Sequence, residues 1–211
     1  MMYKIYSYLA YLASKWAFLI LLKVFFRFKV EGAENMPSSG AFILASNHVS
    51  YMDPGIVGAI AKRRLYFITS DHLYRNKLAA FWHNSTGCIR IRRGESDHAA
   101  IRKILGSVKA GKPIAIFPEG TRSPDGKLKD AFSGIGFLAL KTQVPVVPCF
   151  IKGSDSALPR GARFFKFGRV SVTVGSPILP ETFSGNAVKK EAYRSFSKKV
   201  MDSIAELDKI K

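Results

Sequence analysis

Five short strand-like runs, the central ones continuously apolar, constrain this chain more than any other feature: AFILAS (41–46), RLYFIT (64–69), CIRI (88–91), PIAIF (113–117) and VPVVPCFI (144–151). A strand with one wet face alternates polar and apolar residues. A continuous run belongs to a strand covered on both faces. Between the runs lie segments of helical pattern, DPGIVGAIA (53–61), DHLYRNKLAAFWHNST (71–86), ESDHAAIRKILGSVKAG (95–111) and FSGIGFLALKTQ (132–143). Strands alternating with helices predict an α/β sheet with helices on both faces. Gly111 is the expected stop of the third helix. RFFKFGRVSVTVG (163–175) predicts a hairpin or a pair of edge strands, and a basic amphipathic helix over about 187–209 closes the chain.

Functional groups in such sheets collect in loops at the strand ends. The loop after AFILAS reads NHVSYMD (47–53) and sets His48 five residues before Asp53. A strand-to-helix turn can fold back and bring the two side chains together. A carboxylate on one ring nitrogen fixes the tautomer and raises the basicity of the other. The free nitrogen can then take a proton from an alcohol, a contribution of about 10² to 10⁴ in rate. The same residues have a plainer reading. Asp53 before Pro54 makes a good helix cap, and His48 is then a loop histidine. On these residues alone both readings stand.

The loop after PIAIF reads FPEGTRS (117–123). Gly120 permits a positive φ or close approach of backbone to a ligand. Arg122 offers a fork suited to phosphate, and Thr121 adds a hydroxyl. Glu119 can accept from a substrate hydroxyl or hold Arg122 in place. The plain reading is a polar turn with one surface ion pair, worth about 0–1 kcal/mol. In GCIRIRR (87–93), Arg93 follows a strand and can join Arg122 around an anion, or be an exposed basic strand end.

Other chemistries find little support. Ser46 and Ser50 flank His48 outside any GxSxG elbow. Cys88 and Cys149 sit in apolar runs without CxxC spacing, as buried structural thiols would. His72, His83 and His98 are scattered without metal-ligand spacing, so no metal site is expected. If His48 works as a base, the nucleophile then belongs to the substrate. A formal net charge of +18 attracts anionic membranes, phosphorylated substrates or nucleic acid. No nucleic-acid-binding pattern accompanies it, so nucleic acid is not an expected partner.

The N-terminal stretch MMYKIYSYLAYLASKWAFLILLKVFFRF is apolar and aromatic, with Lys4, Ser7, Tyr11, Ser14 and Lys15 on one narrow helical stripe. Lys15 interrupts the run, which argues against a signal peptide and would cost a spanning helix about 3 kcal/mol. The favoured reading is a helix, or two short ones, lying in one leaflet with snorkelling lysines. The alternative is an ordinary helix packed on the core.

Four blocks in this order and register resemble the glycerolipid acyltransferases, a family typified by bacterial 1-acylglycerol-3-phosphate acyltransferase. They are Asn47, His48 and Asp53; Gly87, Ile89, Ile91 and Arg93; Phe117 to Ser123 without a change; and Val144, Pro145, Val146 and Pro148. The resemblance covers about 42–153 and the apolar N-terminal segment. It implies a mixed, mainly parallel sheet covered by helices, with a membrane-associated helical segment at 1–30 and an acyltransferase domain at 31–211. It further implies His48 as base and Asp53 as its support, with Arg93, Glu119, Gly120, Thr121 and Arg122 holding the glycerol phosphate. The expected reaction moves an acyl group from acyl-CoA or acyl-carrier protein to the sn-2 hydroxyl of 1-acylglycerol-3-phosphate, giving phosphatidic acid, without a cofactor. The expected location is the cytoplasmic face of the cell membrane. The chain departs from the family pattern at Phe132 and Ser133, where many relatives carry a basic residue before the helix glycine. This opens the alternative of another lysolipid acceptor, such as a lyso-ornithine lipid.

Overall fold

The computed structural model describes residues 2–70, 74, 76–91, 97–159, 162, 164–181 and 189–209. The elements in chain order are α1 (Met2–Phe25), β1 (Lys29–Glu31), β2 (Ile43–Ser46), α2 (Asp53–Ile60), β3 (Tyr66–Ser70), α3 (Lys77–Ser85), β4 (Cys88–Ile91), α4 (Asp97–Lys109), β5 (Ile114–Ile116), α5 (Gly134–Thr142), β6 (Val146–Lys152), α6 (Ser154–Ala157), β7 (Ser171–Val174) and α7 (Lys189–Leu207). Each of the five runs coincides with one strand to within two residues at each end, and Gly111, at φ 74°, follows α4 as expected.

The strands form one sheet of seven, in the order β1-β7-β6-β2-β5-β3-β4. Every pairing is parallel except β6 with β7. The sheet is thus mixed and mainly parallel. β2 lies at its centre, with Ile43 beside Val146 on one side and Ile114 on the other. All four β2 residues are buried, which explains why this run carries no polar alternation. Ile43 and Ala45 face a core shared with α4, α5 and α7. Phe42 and Leu44 face the opposite core, shared with α1 and α2.

Neither the expected hairpin nor the expected pair of edge strands forms among the described residues of 163–175. Residues 164–170 carry no strand, and β7 alone enters the sheet, between β6 and β1. The reason is side-chain character. Val172 and Val174 alternate into the core, whereas Phe164 and Phe167 are largely exposed and have no core to fill. β1 had no signal of its own, being three residues on the sheet edge. The boundary expected at residue 30 falls inside it.

The N-terminal segment is one continuous helix, not two, and Ile5–Phe25 is long and apolar enough to cross a membrane by length and composition. Leu22 and Phe26 are buried in the core, and Phe18, Leu19 and Leu21 pack against it. The polar stripe turns inward: Ser7 and Tyr11 are buried, and the Lys15 ammonium donates to the Ala61 carbonyl at the end of α2. Lys15 therefore does not snorkel. A helix C-terminus presents unpaired carbonyls that attract a cation. Ile5, Tyr6, Leu9, Trp16, Ile20 and Val24 face outward, so α1 carries a second apolar side that is exposed.

Candidate active site

The parallel strands β2 and β5 lie side by side, so the loops that follow them emerge at the same sheet end. His48 and Asp53 meet there. His48 Nδ1 lies 2.8 Å from Asp53 Oδ2. Asp53 is the first residue of α2, preceded by Met52 at the cap, so it is not the cap itself. Its carboxylate reaches back into the loop instead. Oδ2 accepts the amides of Val49 and Ser50, both at 2.7 Å. Oδ1 accepts the Ser154 hydroxyl at 2.6 Å. Four donors thus surround a carboxylate with no exposure at all. That satisfies a charge that burial would otherwise penalise heavily.

The Asp53 contact takes Nδ1 and leaves Nε2 as the free ring nitrogen of a side chain that is 17% exposed. The ring stacks on Phe117, with centroids 4.1 Å apart and planes inclined by 21°. Its rotation is therefore restricted by a partner on the edge and a partner on the face. Asn47, one residue earlier, ties this end of β2 to β6. Its amide donates to the Ile151 carbonyl at 2.9 Å, and its carbonyl accepts the Ile151 amide at 2.7 Å.

The second loop is fastened to the first through backbone. Glu119 Oε1 accepts the His48 amide at 2.9 Å, and the Ser123 amide donates to the His48 carbonyl at 2.7 Å. Glu119 is 3% exposed. Burial pushes its carboxyl above the ordinary range, opposed by the amides of His48 and Lys129 and by the nearby His48 and Lys129 charges. It forms no ion pair with Arg122. The Arg122 guanidinium lies over the Tyr51 ring, 3.4 Å from its centroid. Gly120 has φ 68°, and a Cβ there would meet the Phe132 ring at 2.7 Å. Thr121 is exposed beside Arg122.

The structure thus brings His48, Asp53, Glu119, Gly120, Thr121 and Arg122 to one sheet end, while Arg93 lies outside the described residues. The sequence reading assigned nothing to Ser154, which stands 101 residues from the carboxylate it serves. The only local hint is Gly153, whose φ of 83° turns the chain from β6 into α6. It also assigned no positioning role to Phe117 or Tyr51, although both belong to the two loops. Cys149 is fully buried on β6, and desolvation pushes its thiol up to about 12. A thiol held in that state is a poor nucleophile.

A family profile described as Acyltransferase matches residues 27–152, more than half of the chain. The chain is 30% identical over 172 residues to the chloroplastic 1-acyl-sn-glycerol-3-phosphate acyltransferase LPAT1 of Arabidopsis thaliana, covering 80% of this chain and 48% of that one. It is 26% identical over 182 residues to the 1-acyl-sn-glycerol-3-phosphate acyltransferase of Bacillus subtilis (strain 168), covering 85% and 87%. The crystal structure of the 1-acyl-sn-glycerophosphate (LPA) acyltransferase PlsC from Thermotoga maritima matches with a TM-score of 0.74 at 28% identity, covering 96% of this chain and 78% of that one. The chain spans about half the length of the chloroplast relative.

Proposed function

We infer function from one premise: the chain belongs to the acyltransferase family. We propose that it transfers a fatty acyl group from acyl-CoA or acyl-carrier protein to the free sn-2 hydroxyl of 1-acylglycerol-3-phosphate, giving phosphatidic acid for phospholipid biosynthesis. The relatives carrying that activity in their names support the acceptor. The observation that carries the reading is the His48–Asp53 pair at 2.8 Å, locked by its backbone to the FPEGTRS loop.

His48 donates through Nδ1 to Asp53, so Nε2 accepts the proton of the acceptor hydroxyl. The alkoxide oxygen bonds to the thioester carbonyl carbon. The tetrahedral intermediate collapses, the C–S bond breaks, and the departing thiolate recovers the proton from His48. Protons balance within the step, and the scheme uses no cofactor and no acyl-enzyme. Arg122 binds the acceptor phosphate, with Arg93 assigned the same role. Gly120 and Thr121 shape the loop beside them. Glu119 orders the His48 backbone. The outward apolar side of α1 and the +18 charge support work at an anionic membrane surface on the cytoplasmic side.

Purified protein should release free thiol from the donor only when lysophosphatidate is present, and His48→Ala should abolish that release. Full activity in His48→Ala would refute the mechanism. A second reading, the same transfer to another lysolipid, draws on Phe132, which packs on Gly120 inside the acceptor loop. A panel of lysolipid acceptors decides between them; clear preference for lysophosphatidate removes the second.

A further inference from the structure

We propose that Phe164 and Phe167, on the stretch joining α6 to β7, form a second lipid-inserting element beside the catalytic loop. Its purpose rests on the function proposed above. Its geometry does not.

Phe164 is 82% exposed and Phe167 80% exposed. Exposed aromatic rings this prominent are costly in water and mark interaction surfaces when they join a larger apolar patch. Here they join one. The Phe167 ring stacks on Phe25 at the end of α1, with centroids 5.6 Å apart, and the Phe165 ring meets Phe26 edge-on. The patch is therefore continuous with the outward apolar side of α1, which carries Trp16, Ile20 and Val24. Lys23, Arg27, Lys166 and Arg169, all exposed, lie within two residues of these rings along the chain. Aromatic rings among cations suit an anionic bilayer, where rings enter the headgroup boundary and cations meet lipid phosphates. A protein partner would be met by the same rings, but nothing on this surface calls for one.

Residues 166–170 are also held in place. The Lys166 amide donates to the Ala157 carbonyl at 2.8 Å, the Val170 amide to the Phe26 carbonyl at 2.9 Å, and the Lys29 amide to the Val170 carbonyl at 3.1 Å. Leu158, just after α6, touches the site. The Leu158 carbonyl accepts the Ser50 hydroxyl at 3.2 Å, and α6 supplies the Ser154 bond to Asp53. Inserting the rings would seat the His48 loop close to the lipid–water boundary, where the glycerol of a lysolipid lies.

The test is sedimentation of the full chain with phosphatidylcholine vesicles, with and without phosphatidylglycerol. Phe164→Ser/Phe167→Ser should lower the partition coefficient by about tenfold or more, with an unchanged thermal midpoint. Trp at both positions should restore it. Lys166→Gln/Arg169→Gln should weaken binding only to the anionic vesicles, and salt should erase that difference. Wild-type partition in the double Ser variant would overturn the proposal. So would an equal loss in Leu179→Ser, which is 69% exposed and outside the patch. Lysophosphatidate in detergent micelles separates this from the function proposed above. The double Ser variant should match the wild-type transfer rate there. If the assigned activity is wrong, wild type shows no transfer while the vesicle difference persists.

Discussion

The backbone amide of His48 donates to the carboxylate of Glu119 across 71 residues of chain, at 2.9 Å. Glu119 thus serves the loop that carries the base, and one of its oxygens is committed before any substrate arrives. With the Ser123 amide on the His48 carbonyl, the FPEGTRS loop holds both polar backbone groups of that residue. The two motif loops are thus fastened together at His48.

Glu119→Ala would leave the His48 amide without its partner in a buried setting. We expect a loss of about 1–3 kcal/mol in denaturant unfolding, together with a lower kcat/KM. Glu119→Gln retains an acceptor and should hold stability near wild type.

The same residue sets a pH dependence. Its carboxyl titrates above its usual 4.5 in the folded chain, chiefly through desolvation. The folded chain therefore keeps this proton over a pH range where the unfolded chain has lost it. Stability from this group falls as pH rises through that range and levels off above the folded value. Thermal melts from pH about 4 upward should show Glu119→Gln gaining on wild type as pH rises. A constant difference would contradict the assignment.

Asp53→Asn separates structure from chemistry. An asparagine carbonyl can take the place of Oδ2, and its amide can donate to the Ser154 hydroxyl, so the folded chain should survive. The negative charge beside His48 is lost. Acyl transfer should fall by about 10² to 10⁴ with little change in melting temperature. Ser154→Ala should do the reverse, costing about 1.5–3 kcal/mol of stability through a lost bond to a charged group, with a smaller effect on rate.

Native protein should resist alkylation at Cys149, whose thiol is buried and pushed up to about 12. Cys88 is partly buried with its thiol also raised by desolvation, so it should react slowly. Iodoacetamide treatment at neutral pH should leave transfer activity intact, and mass spectrometry should find Cys149 modified only after unfolding. Loss of activity in step with alkylation would indicate a covalent mechanism.

Gly120→Ala meets two obstacles, a φ of 68° and a Phe132 ring 2.7 Å from the new Cβ. We expect destabilisation of about 1–2 kcal/mol from the left-handed backbone alone. Adding Phe132→Ala should relieve the contact and not the backbone strain, so the pair should recover only part of the loss in a double-mutant cycle.

Much of this protein is determined locally. Continuous apolar runs can be buried on both faces only within a covered sheet, so AFILAS and VPVVPCFI declare β2 and β6 without reference to anything distant. A five-residue span across a strand-to-helix turn lets His48 and Asp53 meet, and the FPEGTRS residues announce their loop by composition. Tertiary structure decided what depends on which distant backbone groups come together. It put β7 between β6 and β1, brought Ser154 to Asp53, gave Glu119 to the His48 amide, and turned the polar stripe of α1 inward onto α2. Side-chain periodicity records how much of each segment is buried. It does not record the partner, because hydrogen bonds between distant loops leave no spacing in the chain.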